Sequence, residues 1–107
     1  MALSLNCFLV GRDLDRTFVV EIESSKKVSI LKDLIKEKNP SSLGNVDVKN
    51  IDLWAVNLNL NTLKQDSVDD TVNKKPKLSA TKKLSAIFDN VPNDHFLHII
   101  AKVSGTS

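Results

Sequence analysis

The stretch VSILKDLIKEKNP, residues 28–40, decides the fold because its periodicity differs from that of the runs on either side. Its apolar residues recur at helical spacing, at Val28, Leu31, Leu34 and Ile35, and charged residues occupy the opposite face. Asn39-Pro40 ends the pattern, because a residue that precedes proline is pushed out of the α region. The stretch therefore predicts one amphipathic helix that crosses a sheet face.

Before this helix the sequence alternates in two short runs, as half-buried strands do. In the first run, one face carries Leu3, Leu5, Cys7 and Leu9. In the second run, which covers 17–23, one face carries Phe18, Val20 and Ile22. Between them stand the turn residues Gly11, Arg12 and Asp13. These features predict two antiparallel strands joined as a hairpin.

After the helix, the run VKNIDLWAV at 48–56 alternates again and predicts a third strand, which is apolar on both faces near Trp54. The stretch 57–77 is rich in Asn, Asp and Lys, so we expect a long connection with one small strand at most. Helical spacing returns at 79–88 and predicts a short second helix with Ser79 as its N-cap.

The end of the chain completes the order of elements. A turn is predicted at Asn90, Pro92 and Asn93, and HFLHIIAKV at 95–103 predicts the last strand. A hairpin, a helix across one sheet face and later strands in the same sheet make an α+β domain of the ubiquitin-like β-grasp arrangement. We expect a mixed sheet of four to five strands, in which the first and last strands are central and parallel.

Length and composition are those of one domain. The chain has 107 residues, 41% of them hydrophobic, which suffices for a single core, and we expect 104–107 to be a linker. Fifteen basic against thirteen acidic residues give a net charge of +2. This charge is too balanced to predict nucleic-acid binding through overall charge.

The single Cys7 excludes an internal disulfide. The apolar start lacks a basic region and is too short to span a membrane.

With its elements in this order, the sequence resembles the N-terminal domain of Crinkler effectors of water moulds and fungi. VSILKDLIKEKNP is similar to the helix of that family, and IDLWAVN at 51–57 stands where the family carries Leu-x-Leu-Phe-Leu-Ala-Lys. LSATKKLSAIF and HFLHIIAKV are similar to its closing segment. Trp54 replaces the Phe of the motif and Asn57 replaces its Lys, a form that resembles the fungal branch.

This resemblance implies a ubiquitin-like N-terminal domain that precedes a separate effector domain in modular, secreted proteins, which act within another cell and often in its nucleus. We therefore expect a non-enzymatic interaction domain that supports export, targeting or self-association. The expected partner is a protein, including a second copy of this chain in a homodimer. Neither a cofactor nor a small-molecule substrate is expected.

The strand around Trp54 is the candidate partner surface. A partly exposed Trp on a rigid sheet offers a large contact area at low entropic cost, and alternation places Trp54 off the main core. We expect an outward surface made of Asp52, Trp54, Val56 and Asn57. The alternative is that Trp54 packs under the helix or under the long connection.

One basic cluster contains a Lys-Lys-Pro-Lys pattern that resembles a nuclear-import signal. Its members are Lys74, Lys75, Lys77, Lys82 and Lys83. No aromatic residue interleaves the cluster, and Asp66, Asp69 and Asp70 lie just upstream, so nucleic-acid binding is not favoured. The alternative function is a basic adaptor that binds importin or nucleic acid through these lysines.

Residues for catalysis or metal binding are few and dispersed. Cys7, His95 and His98 do not have the spacing of a four-ligand zinc site, and nothing orients a Cys–His pair. Cys7 is predicted to point inward. Gly11, Gly44 and Gly105 stand too far apart for a phosphate-binding loop. We expect no enzymatic activity and no metal.

Overall fold

A computed structural model describes residues 2–11, 16–88 and 93–103. One four-stranded mixed sheet is formed by β1 (Ala2–Leu9), β2 (Phe18–Glu23), β3 (Ile51–Asn59) and β4 (Phe96–Val103). The strand order is β2-β1-β4-β3. The central strands β1 and β4 are parallel, and β2 and β3 pair antiparallel with them at the two edges. The predicted β-grasp, with parallel terminal strands at its centre, is confirmed.

Helix α1 (Val28–Lys38) covers one face of the sheet, as its apolar stripe predicts. Val28, Leu31 and Ile35 have no exposed surface. They pack against a set that we call the main core, which includes Leu3, Leu5, Cys7, Leu53, Ile99 and Ala101. Burying each of the Val, Leu and Ile side chains among them contributes about 1.5–3 kcal/mol. The interface between α1 and the sheet therefore contributes substantially to stability.

The C-terminal end of α1 is also where the sequence predicts it. The side-chain Nδ2 of Asn39 donates to the carbonyl oxygen of Ile35 at 2.8 Å, which satisfies a carbonyl left free by the end of the helix. Pro40 then begins a short helix, α2 (Pro40–Leu43). The polar composition of this stretch did not indicate α2.

The first turn of α1 is satisfied by a distant segment instead of a capping side chain. Lys27, at the N-cap, makes no side-chain cap hydrogen bond. The backbone N–H of Val28 donates to the carbonyl of Lys82 at 2.9 Å, and that of Ser29 donates to the carbonyl of Ala80 at 3.0 Å. Free amides of a helix start thus find acceptors more than fifty residues along the chain.

The two hydrogen bonds from α1 to Ala80 and Lys82 explain why the prediction of a helix at 79–88 is wrong. A helix would use the carbonyls of this segment in its own hydrogen bonds, whereas here they serve α1. Only a 3₁₀ turn, Leu84–Ala86, forms, and a bridge joins Lys27 to Lys83. The apolar spacing that suggested a helix has a different cause, since Leu84 is a single fully buried anchor in the main core.

The second face of the sheet is covered by a helix in the stretch for which we expected a connection. Helix α3 (Gln65–Lys74) packs against β3. A second core lies between α3 and the sheet and consists of Phe8, Trp54, Val56, Val68, Leu97 and Ile100. Only Val68 and Thr71 of α3 are buried, so its apolar stripe is about one turn long and the sequence pattern is too weak to reveal it.

Strand β3 begins and ends three residues later than the predicted 48–56. A 3₁₀ turn, Val48–Asn50, precedes it. The register against β4 shifts between Ala55 and Leu58, the mark of a β-bulge, which bends a strand locally.

Three other predicted features lie outside the described residues: the turn at Arg12 and Asp13, the turn at Asn90 and Pro92, and the linker 104–107.

Because Trp54 fills the space between β3 and α3, we expect Trp54→Ala to lower the free energy of unfolding by about 3–5 kcal/mol. Urea unfolding followed by circular dichroism measures this change. Val19→Ala is the control, because Val19 is the most exposed large apolar residue described and its truncation should change stability by about 0.5 kcal/mol or less. Equal effects of the two changes would contradict the packing role of Trp54.

Candidate functional site

The candidate site is the outer edge of β3, along which the segment after α3 is laid. The backbone N–H of Leu78 donates to the carbonyl of Leu53 at 2.8 Å. The indole Nε1–H of Trp54 donates to the carbonyl of Lys75 at 3.0 Å. One backbone bond and one side-chain bond therefore fix the segment 75–78 beside the strand.

The expectation that Trp54 is exposed is wrong. Its side chain is 3% exposed and Val56 is 7% exposed, because both belong to the second core beneath α3. The alternative, packing of Trp54 under the long connection, is what the structure shows. Alternation correctly directs Trp54 away from the main core. It fails to indicate exposure because the second face has its own cover.

The other two predicted partner residues differ in accessibility. Asp52 is largely buried, and its Oδ2 lies 3.2 Å from Nζ of Lys77 with a side-chain exposure of 12%. Asn57, within the register shift of β3, is exposed. The ion pair joins a residue of the predicted partner surface to one of the predicted basic cluster. Among the four predicted partner residues, Asn57 alone is exposed.

A cavity of about 330 Å³ opens beside Asn57. Its lining combines the apolar side chains of Val56, Ile87 and Phe88 with the polar ones of Asn57, Lys75 and His98. The structure thus brings one lysine of the basic cluster next to two predicted partner residues. Phe88 and His98 were missed as parts of a site, because they come from separate elements and no sequence spacing joins them to β3.

His98 is a structural hydrogen-bonding centre at this cavity. Its Nδ1 accepts from the backbone N–H of Asn6 at 2.9 Å, and its Nε2 lies 2.7 Å from the carbonyl of Asn93. An accepting Nδ1 requires the neutral ring with its proton on Nε2. Burial lowers the pKa of His98 from 6.5, while the Asn93 carbonyl and the Asp94 carboxylate act in the opposite direction.

All five lysines of the predicted basic cluster are exposed. Two of them are matched by acidic side chains, since Nζ of Lys74 lies 3.4 Å from Asp70 and Nζ of Lys77 lies 3.2 Å from Asp52. Within the described ranges the remaining three, Lys75, Lys82 and Lys83, have no ion-pair partner. The local positive potential is correspondingly smaller than the count of lysines indicates.

Cys7 is fully buried in the main core, as predicted. Burial raises the pKa of its thiol far above the ordinary value, so the reactive thiolate is disfavoured. In the part of the chain that the structure describes, no three His, Cys, Asp or Glu residues are grouped to hold a metal ion. No helix there has the length and apolarity needed to cross a membrane.

The sequence matches the family model described as Crinkler effector protein N-terminal domain over residues 3–102. It is 30% identical over 105 residues to Crinkler effector protein 1 of Rhizophagus irregularis. That match covers 95% of this chain but 22% of the relative, so the chain spans only a minor part of the relative's length.

A solved structure with a similar fold is the C-terminal ubiquitin-like domain of mouse tubulin-specific chaperone e. Its TM-score is 0.57 at 13% sequence identity, and the superposition covers 100% of this chain and 91% of the other. At this identity the likeness shows the fold alone, and it supports the ubiquitin-like assignment.

We expect the stability of the domain to fall as the pH drops below about 6.5, because of His98. Its pKa in the folded state is lowered, so the unfolded chain takes up the proton first. The stabilising contribution is complete above the unfolded pKa and is lost as the pH falls from there through the lowered folded pKa. Urea unfolding between about pH 5 and pH 8 measures this slope.

His98→Gln should remove most of this slope in addition to lowering stability at every pH. His95→Gln is the matched control, because His95 is exposed and its loss should leave the slope unchanged. A slope that persists in His98→Gln would contradict the assignment.

The thiol of Cys7 should not react with a thiol reagent in the folded domain. Its burial excludes the reagent and its raised pKa removes the thiolate. Labelling with Ellman's reagent should be undetectable in buffer and complete in concentrated urea. Rapid labelling of the folded protein would contradict the buried position.

Proposed function

This chain belongs to the Crinkler effector family as an N-terminal domain, and from that premise we propose that it is a non-enzymatic, ubiquitin-like interaction domain of a secreted effector. The observation that carries the proposal is the extent of the family match. It runs from residue 3 to residue 102 and therefore includes all but the outermost residues of the four strands and both helices that cover them. The family relationship concerns the whole folded unit.

The effector acts in a host cell, with its nucleus as one destination, and the domain serves translocation into that cell or self-association. The relative shares this domain over 22% of its own length. That proportion supports a modular protein in which the N-terminal domain delivers or positions a separate part. The surface of this domain, not a reactive centre inside it, then determines the function.

The partner surface that we propose is the edge of β3 around Asn57. Trp54 packs beneath this surface, and its indole Nε1–H donates a hydrogen bond to the carbonyl oxygen of Lys75. Asp52 supports it by the ion pair with Lys77, and Val56 forms part of the cavity wall. In this arrangement Asn57 contacts the partner and the other three predicted residues position the surface.

The absence of enzymatic activity is supported by the environment of the one thiol. Cys7 is buried among apolar side chains, where it behaves as a small hydrophobe. The neutral His98 uses both ring nitrogens in structural contacts. Neither side chain is available as a nucleophile or a base.

A second function is favoured by the exposure of all five lysines. In this alternative the domain is a basic adaptor that binds importin or nucleic acid through the cluster. The ion pairs of Lys74 and Lys77 oppose it, because they reduce the local field.

A reporter fused behind the domain tests the proposed function in a colonisation assay. We expect the secreted reporter to reach host cells only when the folded domain precedes it. Trp54→Ala should reduce uptake by destabilising the domain, whereas Ile30→Ala, which truncates an exposed side chain outside both proposed surfaces, should preserve it. Equal uptake of a reporter that lacks the domain would contradict the proposal.

Two sets of surface substitutions separate the leading function from the alternative. Asn57→Arg places a long charged side chain at the cavity mouth and should reduce uptake, or reduce self-association measured by light scattering. Replacement of Lys82 and Lys83 by Ala removes cations that lie outside the cavity lining and have no ion-pair partner among the described residues, and should leave both unchanged. The reverse pattern, loss of function with the lysine replacements alone, would favour the basic adaptor.

A further inference from the structure

The two edges of the sheet differ in their cover. The edge of β3 is occupied by the segment 75–78, which donates a backbone hydrogen bond to it. Among residues 2–11, 16–88 and 93–103, β2 pairs with β1 alone. An edge strand of this kind presents a row of backbone N–H and C=O groups that can pair with another extended chain.

A groove of about 620 Å³ runs between this edge and α1. Val19, Val20 and Glu21 line it from β2, and Leu34, Glu37 and Lys38 line it from α1. Val19 is 48% exposed, the largest exposure of any large apolar side chain described. The groove therefore offers backbone hydrogen-bonding groups and exposed apolar surface at the same place, the combination that strand addition requires.

The alternation of buried and exposed residues along β2 determines which residues the two faces of an added strand would contact. Val20 and Ile22 are buried towards α1, while Val19 and Glu21 are exposed on the opposite face. Side chains of an added strand that point towards α1 would meet Leu34 and the carboxylate of Glu37. Those that point away would lie across from Val19 and Glu21.

The charges in the groove select the occupant. Glu21 and Glu37 have no ion-pair partner in the described part of the chain, and Lys38 is the single cation among the lining residues. The lining is therefore acidic although the whole chain carries +2. A second copy of the chain fits poorly, because antiparallel pairing of β2 with itself would bring the Glu21 carboxylates of both copies into proximity.

We propose that the groove between β2 and α1 binds an extended segment of a partner protein that alternates apolar and basic residues and adds to β2 as a fifth strand. Apolar side chains of the segment point towards α1 and pack on Leu34, and its lysine or arginine side chains, on the other face, pair with Glu21, while the Glu37 carboxylate adds to the negative charge of the lining. This inference rests on the proposed interaction function and names a partner class and a site for it.

The test uses the whole chain and a capped synthetic peptide of about eight residues that alternates valine and lysine. We expect saturable binding, with backbone amide NMR shifts confined to β2 and to the second half of α1. A peptide of the same charge in which prolines replace the valines lacks half of the backbone donors and should bind at least about fivefold more weakly.

Charge reversal provides the matched comparison. Glu21→Lys with Glu37→Lys should weaken binding of the lysine peptide by about tenfold or more and should create binding of a peptide that alternates valine and glutamate. Asp33→Lys is the control, because it reverses an exposed charge of the same helix outside the groove and should leave binding unchanged.

Absence of saturable binding, shifts mapped outside the groove, or equal binding of the proline peptide would each overturn the inference. So would self-association of the free chain through β2. These outcomes are distinct from failure of the proposed function. Uptake of the reporter that persists in the Glu21→Lys, Glu37→Lys variant would leave the function standing without this site, whereas peptide binding without domain-dependent uptake would leave the site without that function.

Discussion

The whole structure depends on a sheet whose central strand is apolar on both faces. Ile99 and Ala101 of β4 lie in the main core, and Leu97 and Ile100 lie in the second core. All four have no exposed surface. A strand of this kind is stable only when both faces are covered, and each face has its own helix. α1 covers one with a long apolar stripe, and α3 covers the other with a short one.

The short apolar stripe of α3 determines how the candidate site beside β3 is built. α3 contributes few apolar contacts of its own, so the residues that follow it are secured by hydrogen bonds to β3. The bonds from Trp54 to Lys75 and from Leu78 to Leu53 close that edge of the sheet. The same arrangement leaves the opposite edge, β2, with one partner among the described residues. The two proposed binding surfaces consequently lie at opposite edges of one rigid sheet.

Much of the fold could be predicted from local patterns. The helical spacing from Val28, the stop at Asn39-Pro40 and the period-two runs of the terminal strands each report a strong, local requirement for burial. The inward position of Cys7 followed from the same alternation. The site could be predicted less well. The strand that contains Asp52 and Asn57 was predicted, whereas Phe88 and His98 line the cavity beside it through contacts between distant segments that no spacing in the sequence indicates.

The sequence by itself determined the order of the four strands and the main helix, the β-grasp architecture and the family, because these depend on residue patterns within single elements and on their succession. Only the tertiary structure decided that Trp54 is buried, that 65–74 is a helix and that 79–88 is largely not one. The physical reason is the same in each case. The conformation of a weakly patterned segment is set by the surface it must cover or the backbone groups it must satisfy, and those are supplied by residues remote in the chain.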